Sequence, residues 1–389
     1  MKCDVAIVGA GPAGLLLGHL LRQAGIDAVI VERQSAEYVL SRIRAGVLER
    51  TTTDLMVQLG LDTRMLAEGQ LHSGFNLADG ERLIRIDIED LTGSQVMVYG
   101  QSEVTRDLID AAPERGLEVV WEAKDVALHD IESAAPSVSF EQNGKTQTLT
   151  AKYIAGCDGF HGPSRRAIPE GIGREHERVY PFGWLGILAD VPPCHEELIY
   201  ANHANGFALA SMRSNTRSRY YIQVPLDTDL AQWPDERLWD ELAVRLGPDA
   251  AAHMTRGPAI EKSVAPLRSY VFEPMRHGNL FIAGDAGHIV PPTGAKGLNL
   301  AASDVTYLSK ALIARFKQND ETGLEGYAAK ALARVWKSER FSWYLTNLMH
   351  RFPDHGTFER QMQLAELDYI ANSRAAQISI AENYVGLPL

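Results

Sequence analysis

Hydrophobic residues along this chain fall into short unbroken runs and into stripes at helical spacing, and the alternation of the two lays out its elements. Val5-Ala6-Ile7-Val8 has no polar interruption, as a strand buried on both faces requires. After Gly9-Ala10-Gly11-Pro12-Ala13-Gly14 an apolar stripe predicts a helix to about Ala24. Gly25 stops it, and Ala28-Val29-Ile30-Val31-Glu32 makes a second buried strand closed by an acid. Next come a helix over 51–59, strands over 82–88 and 96–99, and a helix from Ser102, a capping residue, to about 114. Strands follow over 119–121, 126–131, 138–141 and 146–150, with Asn143-Gly144 as a two-residue hairpin turn between the last pair. Tyr153-Ile154-Ala155-Gly156-Cys157-Asp158-Gly159 then returns to a buried strand ending in an acid and a glycine.

From 177 to 267 the strands carry more polar residues, Pro192-Pro193, Pro225 and Pro234 punctuate them, and one helix is expected over 236–246. Phe207, Leu209, Ser211 and Arg213 share one strand face, and Arg219, Tyr221 and Gln223 share one face of the next. A five-residue loop over 214–218, or a bulge, would set Arg213 opposite Arg219; a four-residue loop would not. The stretch 280–305 joins unlike pieces. Leu280-Phe281-Ile282-Ala283 is a strand, and Gly284-Asp285 puts a carboxylate at its end. Pro291-Pro292 excludes helix and regular ladder and leaves carbonyls without matching amides, and Gly294 and Gly297 flank Lys296 ahead of a helix. Such a combination suits a flat or anionic ligand.

The remainder reads as helical, over 298–316 and about 324–349, with Trp336, Phe341, Trp343 and Tyr344 as packing or subunit contacts and an apolar tail, 383–388, that docks. The expected fold is mixed α/β. A Rossmann-like domain with a small antiparallel ribbon spans 1–176, an inserted antiparallel-sheet domain spans 177–267, and 268–389 returns to the first domain and ends in a helical region.

With 389 residues, 45% hydrophobic and 23% charged, the chain can bury a large core. A net charge of −12 argues against nucleic acid or an anionic membrane as partner, so the clusters Arg42/Arg44 and Arg213/Arg217/Arg219 read as surface charge or as small anion sites. Cys3, Cys157 and Cys194 are too few and too scattered for a disulfide framework or a metal site. The first strand begins within a few residues of Met1 and no apolar run reaches membrane-spanning length, so a soluble, cytoplasmic protein is expected.

The βαβ opening carries G-x-G-x-x-G between strand and helix, with Glu32 closing the second strand. The glycines let the backbone approach a pyrophosphate at the helix N-terminus, and the acid can bind ribose hydroxyls. This fingerprint, Asp158-Gly159 and Gly284-Asp285 stand in the order and spacing of one enzyme family. With RIRAGVLE, YGQSEVTRDL, YIAGCDGFHG, VYPFGWLGILAD, IYANH, GDAGHIVPPTGAKGLNLAASDV and IAENYVGLP, they make the chain resemble the flavoprotein aromatic hydroxylases, over nearly its whole length.

The resemblance implies FAD, held at Gly9, Gly11, Ala13, Gly14, Glu32, Arg42, Arg44, Val47, Gln101, Asp158, Asp285, Leu298 and Asn299. Ala13 replaces a common serine and Gly287 a common alanine. It implies a homodimer in aromatic catabolism that hydroxylates 4-hydroxybenzoate to 3,4-dihydroxybenzoate with NADPH and O2, through a flavin hydroperoxide. The substrate carboxylate would meet Arg213, Ser211 and Tyr221, and its phenol Pro292, Thr293 and Tyr200. A planar guanidinium beside a hydroxyl orients a carboxylate better than lysine can. Because the oxygen is electrophilic, the phenol must ionise, and its proton would leave through Tyr200, Tyr384 and His72. With no second G-x-G-x-x-G, NADPH is expected at Arg33, Gln34, Tyr38, Arg44, His161 and Arg268, where Arg33 and Tyr38 suit the 2′-phosphate. Other readings are a relative acting on another hydroxy- or aminobenzoate, a nicotinamide dehydrogenase, and a flavin-binding redox sensor without turnover.

Overall fold

The computed structural model describes residues 1–42, 46–80 and 82–389. Arg44 lies outside the described residues. The first sheet has six strands in the order Arg276–His277, Leu280–Ile282, Tyr153–Gly156, Val5–Val8, Ala28–Val31 and Glu118–Val120. Apart from the antiparallel first pair its neighbours run parallel, with Val5 beside both Tyr153 and Ala28. The unbroken apolar runs are explained by burial on both faces between helices. Helix Pro12–Gln23 ends at Ala24, with Gly25 left-handed at φ +68°. A three-stranded ribbon, Lys124–His129, Ser137–Gln142 and Lys145–Thr150, turns at Asn143 and Gly144, both at positive φ.

The second large sheet has eight strands: His288–Ile289, Glu261–Glu273, Arg174–Ala189, Arg217–Val224, Ala208–Ser214, Ile199–Ala201, Gly74–Asp79 and Arg82–Asp87. It therefore reaches beyond 177–267 at both edges, recruiting a hairpin from 74–87 that pairs in parallel through Leu77 with Tyr200. One face carries Phe75, Leu77, Trp184, Tyr200, Phe207 and Leu209 into a core shared with the C-terminal helices. The other packs Leu185, Ile187, Tyr220 and Ile222 against helix Asp235–Leu246. A small sheet, Val47–Leu48, Val96–Val98 and Gln70–His72, bridges the two units.

Two local expectations shift. The strand over 82–88 ends at Asp87, because the Asp87 carboxylate accepts from the Asp90 amide and caps a short helix, Ile88–Thr92. The helix expected from Ser102 starts at Gln101 after Gly100, with no side-chain cap, and runs to Ala111. Beyond helix Gly297–Gln318 lie Thr322–Met349, Thr357–Asn372 and Arg374–Val385. Among the described residues no helix is long and apolar enough to cross a membrane.

Candidate active site

The carboxyl ends of Val5–Val8, Tyr153–Gly156 and Leu280–Ile282 lie side by side in the parallel sheet, so the three glycine-acid motifs meet along one edge. Gly9 turns at φ +101°, and a Cβ there would stand 2.5 Å from the Cys157 carbonyl; a Cβ on Gly14 would stand 2.0 Å from the Gly9 carbonyl. Only glycine lets helix and strand cross that closely. A Cβ on Gly11 would meet nothing within 4 Å, so open space fronts the N-terminus of Pro12–Gln23. Glu32, 8% exposed, accepts from the amides of Ala10 (2.7 Å) and Gln34 (2.8 Å), which fixes its carboxylate and leaves lone pairs for further donors.

Asp285 is exposed at the strand end, and its side chain makes no hydrogen bond within the described residues. The amides of Gly297, Leu298 and Asn299 precede the first intrahelical bond of their helix, from Leu300 N–H to the Lys296 carbonyl. An anion-ready helix end, a fixed acid, a free acid and a second helix end along one edge fit an elongated dinucleotide such as FAD. Asn299 sits deeper. Its Oδ1 accepts from Glu49 N–H (2.9 Å) and the Thr52 hydroxyl (2.7 Å), and its Nδ2 donates to the carbonyls of Val47 and Ala295 (2.9 Å each). That side chain is fully occupied in joining the small sheet to the helix start, which leaves only its main chain for a cofactor. Asp158 likewise turns inward, with Oδ2 on the Ser164 amide at 2.8 Å and Oδ1 enclosed without a partner; burial raises its pKa. Ala13 packs near Gly284, Gln101 opens its helix half-buried, and Arg42 is exposed over the Tyr38 ring at 6.0 Å.

Sequence reasoning missed the groups that hold the Gly284–Ala286 turn. Asp304, 1% exposed, accepts from the Gly284 amide (2.9 Å) and pairs with His288 Nε2 (2.6 Å), and the His288 pKa is raised, its burial outweighed by the Asp304 charge. Arg165 donates to the carbonyls of Ala286 (3.0 Å) and Phe160 (2.9 Å). Arginine, aspartate and histidine each read as unremarkable alone, and only the fold makes them partners.

In the antiparallel sheet the strands Ala208–Ser214 and Arg217–Val224 pair Leu209 with Tyr221 and Ser211 with Arg219. The two polar faces therefore coincide, with Arg219 opposite Ser211 rather than Arg213. Arg213 is the bulged residue between Met212 and Ser214. Its Nη1 donates to the Met212 carbonyl (2.9 Å) and reaches the Ser211 hydroxyl (3.5 Å), its Nε is enclosed without a partner, and burial pushes its pKa down. No carboxylate among the described residues pairs with it, whereas Arg219 is held by Glu261 at 2.8 Å and lies 4.9 Å over the Tyr221 ring. Ser211 donates to the Arg219 carbonyl at 2.8 Å.

Tyr200 and Tyr384 lie 184 residues apart in sequence, yet their buried hydroxyls meet at 3.1 Å. Tyr384 stacks on Phe75 at 4.0 Å. Burial pushes Tyr200 up to about 12 and Tyr384 well above its ordinary value, so both rest as neutral hydroxyls. His72 is also buried, its pKa lowered by desolvation and its Nδ1 without a partner, and no direct hydrogen bond joins it to Tyr384. Lys296 supports the tyrosine from behind, donating to the Tyr384 carbonyl (2.8 Å) and to Glu49 (2.7 Å), which Arg334 also reaches at 3.3 Å.

Pro291-Pro292 does not exclude all helix, since Pro292–Gly294 forms one 3-10 turn with proline at its first position. Nor is the Pro292 carbonyl free: it accepts from the Ala295 amide at 2.9 Å and keeps one lone pair. Pro292 is exposed and Thr293 wholly buried. The nicotinamide candidates fall in two groups. Arg33 and Tyr38 are exposed beside Gln34, just past the strand Ala28–Val31. His161 is exposed next to Phe160, and Arg268 lies 4.6 Å over the Phe160 ring and 3.1 Å from Glu177. Among the described residues no hydrogen bond or ion pair joins the two groups.

A sequence family described as FAD binding domain matches residues 2–342. The chain is 55% identical over 389 residues to p-hydroxybenzoate hydroxylase of Acinetobacter baylyi, covering 100% of this chain and 96% of that protein. It is 27% identical over 351 residues to rifampicin monooxygenase of Rhodococcus hoagii, covering 87% and 67%. Among solved structures, p-nitrophenol 4-monooxygenase of Pseudomonas putida superposes with a TM-score of 0.86 at 18% identity over the whole of both chains, which shows a shared fold.

Proposed function

The chain belongs to the family of FAD-binding monooxygenases, and on that premise we propose that it hydroxylates 4-hydroxybenzoate to 3,4-dihydroxybenzoate, with NADPH as reductant, O2 as oxidant and water as by-product. The observation that carries this reading is one sheet face that presents a guanidinium paired with no carboxylate among the described residues, near a buried pair of tyrosine hydroxyls. Tyr200 pairs with Leu209, and Ser211 follows two residues along the same face, a step of about 7 Å at the rise of a strand. One aromatic ring with para acid and hydroxyl groups spans such a gap.

Arg213 would bind the carboxylate, with Ser211 and Tyr221 beside it. At the other end the second lone pair of the Pro292 carbonyl would accept from the phenol, next to Thr293, and Tyr200 would take the proton. Because Tyr200 and Tyr384 rest neutral, each can accept one proton while passing on another, so no tyrosinate need accumulate. A neutral His72 with an open Nδ1 can receive the proton beyond them, with water spanning the gap. FAD bound there would supply the redox chemistry of hydride acceptance and O2 activation. Gly9, Gly11, Ala13, Gly14 and Glu32 would hold its adenosine half; Arg42, Arg44, Val47, Gln101, Asp285, Leu298 and Asn299 would hold the rest, with Asp158 shaping the turn behind Gly9. Arg33, Gln34, Tyr38, Arg44, His161 and Arg268 would receive NADPH. A cytoplasmic homodimer completes the proposal.

The test is the visible spectrum of the purified protein, its NADPH oxidation with and without 4-hydroxybenzoate, and product identification by chromatography. A yellow protein whose NADPH oxidation rises with the acid and yields 3,4-dihydroxybenzoate supports the reading. Oxidation indifferent to the acid, or no dihydroxy product, refutes it.

A further inference from the structure

Helix Thr322–Met349 packs against the turn Pro292–Gly294 and shares a hydrophobic core with Tyr200, and it reaches Thr293 by a hydrogen bond. That contact is specific. The hydroxyls of Thr293 and Thr346 meet at 2.9 Å, and Thr346 Oγ1 donates its only proton to the Ser342 carbonyl at 2.7 Å. Thr293 must therefore be the donor and Thr346 the acceptor. Both residues are completely buried, so no water can replace either partner. One residue before Thr293 is Pro292, whose carbonyl is assigned above to the phenol and accepts from the Ala295 amide. The loop comes close enough to the helix that a Cβ on Gly294 would stand 2.5 Å from the Ser342 hydroxyl.

Near the end of the same helix face, a second tie runs to the opposite wall. His350 Nδ1 lies 3.0 Å from the Thr346 carbonyl, and its Nε2 accepts from Trp184 Nε1–H at 2.8 Å. The acceptor role at Nε2 leaves the imidazole proton on Nδ1, directed at that carbonyl. The ring is sandwiched by Phe207 at 4.2 Å and Phe182 at 4.8 Å. Trp184 in turn lies 5.1 Å from the Tyr221 ring. Thr346 thus touches the phenol loop with its hydroxyl and the carboxylate sheet, through His350 and Trp184, with its carbonyl.

We propose that Thr346 is a positioning residue for the hydroxylation: it anchors Thr293, aims the Pro292 carbonyl at the substrate phenol, and fixes that loop relative to the sheet carrying Ser211, Arg213 and Tyr221. The inference rests on the substrate reading above. It assigns to a residue that touches no ligand the task of keeping the phenol where it can ionise.

The experiment compares wild type, Thr346→Val, Thr346→Ser and Thr293→Val as holoenzymes. The ultraviolet absorbance of bound 4-hydroxybenzoate is titrated with pH to read its ionisation, alongside kcat, KM and the ratio of product to NADPH consumed. Loss of one buried hydrogen bond predicts that Thr346→Val lowers kcat about tenfold, raises the pH at which the bound phenol ionises, and wastes more NADPH, with KM little changed. Thr346→Ser restores all of these, and Thr293→Val reproduces the defect. If Thr346→Val fails to fold, the contrast between Thr293→Val and Thr346→Ser decides. An unshifted ionisation in Thr346→Val or Thr293→Val, or equal damage from serine and valine, overturns the proposal. A wild type that does not bind 4-hydroxybenzoate overturns the substrate reading itself, and is told apart by that control alone.

Discussion

Arg213→Met separates a carboxylate-binding arginine from a structural one. In the free protein this guanidinium has a carbonyl at 2.9 Å, a distant hydroxyl at 3.5 Å and an enclosed Nε with no partner, and burial already disfavours its charge. Charge-assisted hydrogen bonds to a substrate carboxylate contribute roughly 1.5–3 kcal/mol, so their loss should raise Kd for 4-hydroxybenzoate by roughly ten- to 150-fold. Methionine also removes a poorly compensated charge, so the ligand-free variant should be at least as stable as wild type, and by about 1 kcal/mol more if the chain repacks. Wild type at a ligand concentration of 100 Kd gains about 2.7 kcal/mol from binding; the variant at that same concentration should gain about 1.4 kcal/mol or less. Thermal unfolding followed by near-ultraviolet circular dichroism, with and without ligand, reads both effects. A variant that keeps the full ligand-induced shift, or is destabilised without ligand, would refute the assignment.

Tyr384→Phe keeps the stack on Phe75 at 4.0 Å but removes the partner of the Tyr200 hydroxyl; affinity should hold while the ionised fraction of bound ligand falls and turnover drops at least about tenfold, measured by ligand absorbance and stopped flow. Burial pushes Glu339 up to about 7, above its unfolded value near 4.5, so the folded protein holds an extra proton between those values and loses stability as pH rises through that window. Glu339→Gln should remove that slope, worth roughly 3 kcal/mol across the window, in urea titrations from pH 4.5 to 8; an unchanged slope would show another group is responsible. Lys296→Met leaves Glu49 buried with only Arg334 beside it and should cost about 3 kcal/mol, read by the same titrations; a cost below about 1 kcal/mol would mean Arg334 alone suffices.

Features written in consecutive residues were readable from the chain. The strand Val5–Val8, the crossing of Gly9 and Gly14, the turn at Asn143-Gly144 and the acids Glu32 and Asp285 each depend on a few neighbours. Short signals failed where two local rules competed: alternation carried the strand through Ile88, but Asp87 capped a helix instead. Period-two patterning cannot tell the bulge at Arg213 from a longer turn. Pro292 misled in another way, since proline lacks a donor but its carbonyl still accepts from Ala295. Long-range pairs were invisible. Asp304 with His288, Lys296 with Glu49, and Thr346 with Thr293 are ordinary residues until the fold brings them together.

The eight-stranded sheet takes one edge from 74–87 and the other from 288–289. Its middle strands therefore cannot be lifted out as a cassette: a transplanted 177–267 would expose two raw edges and invite strand exchange with a neighbour. Folding inherits the same constraint. Tyr200 gains its parallel neighbour only after more than a hundred intervening residues have been looped back, a pairing that low local bias makes slow. Selectivity in such a chain has to be retuned residue by residue within the whole rather than by swapping modules.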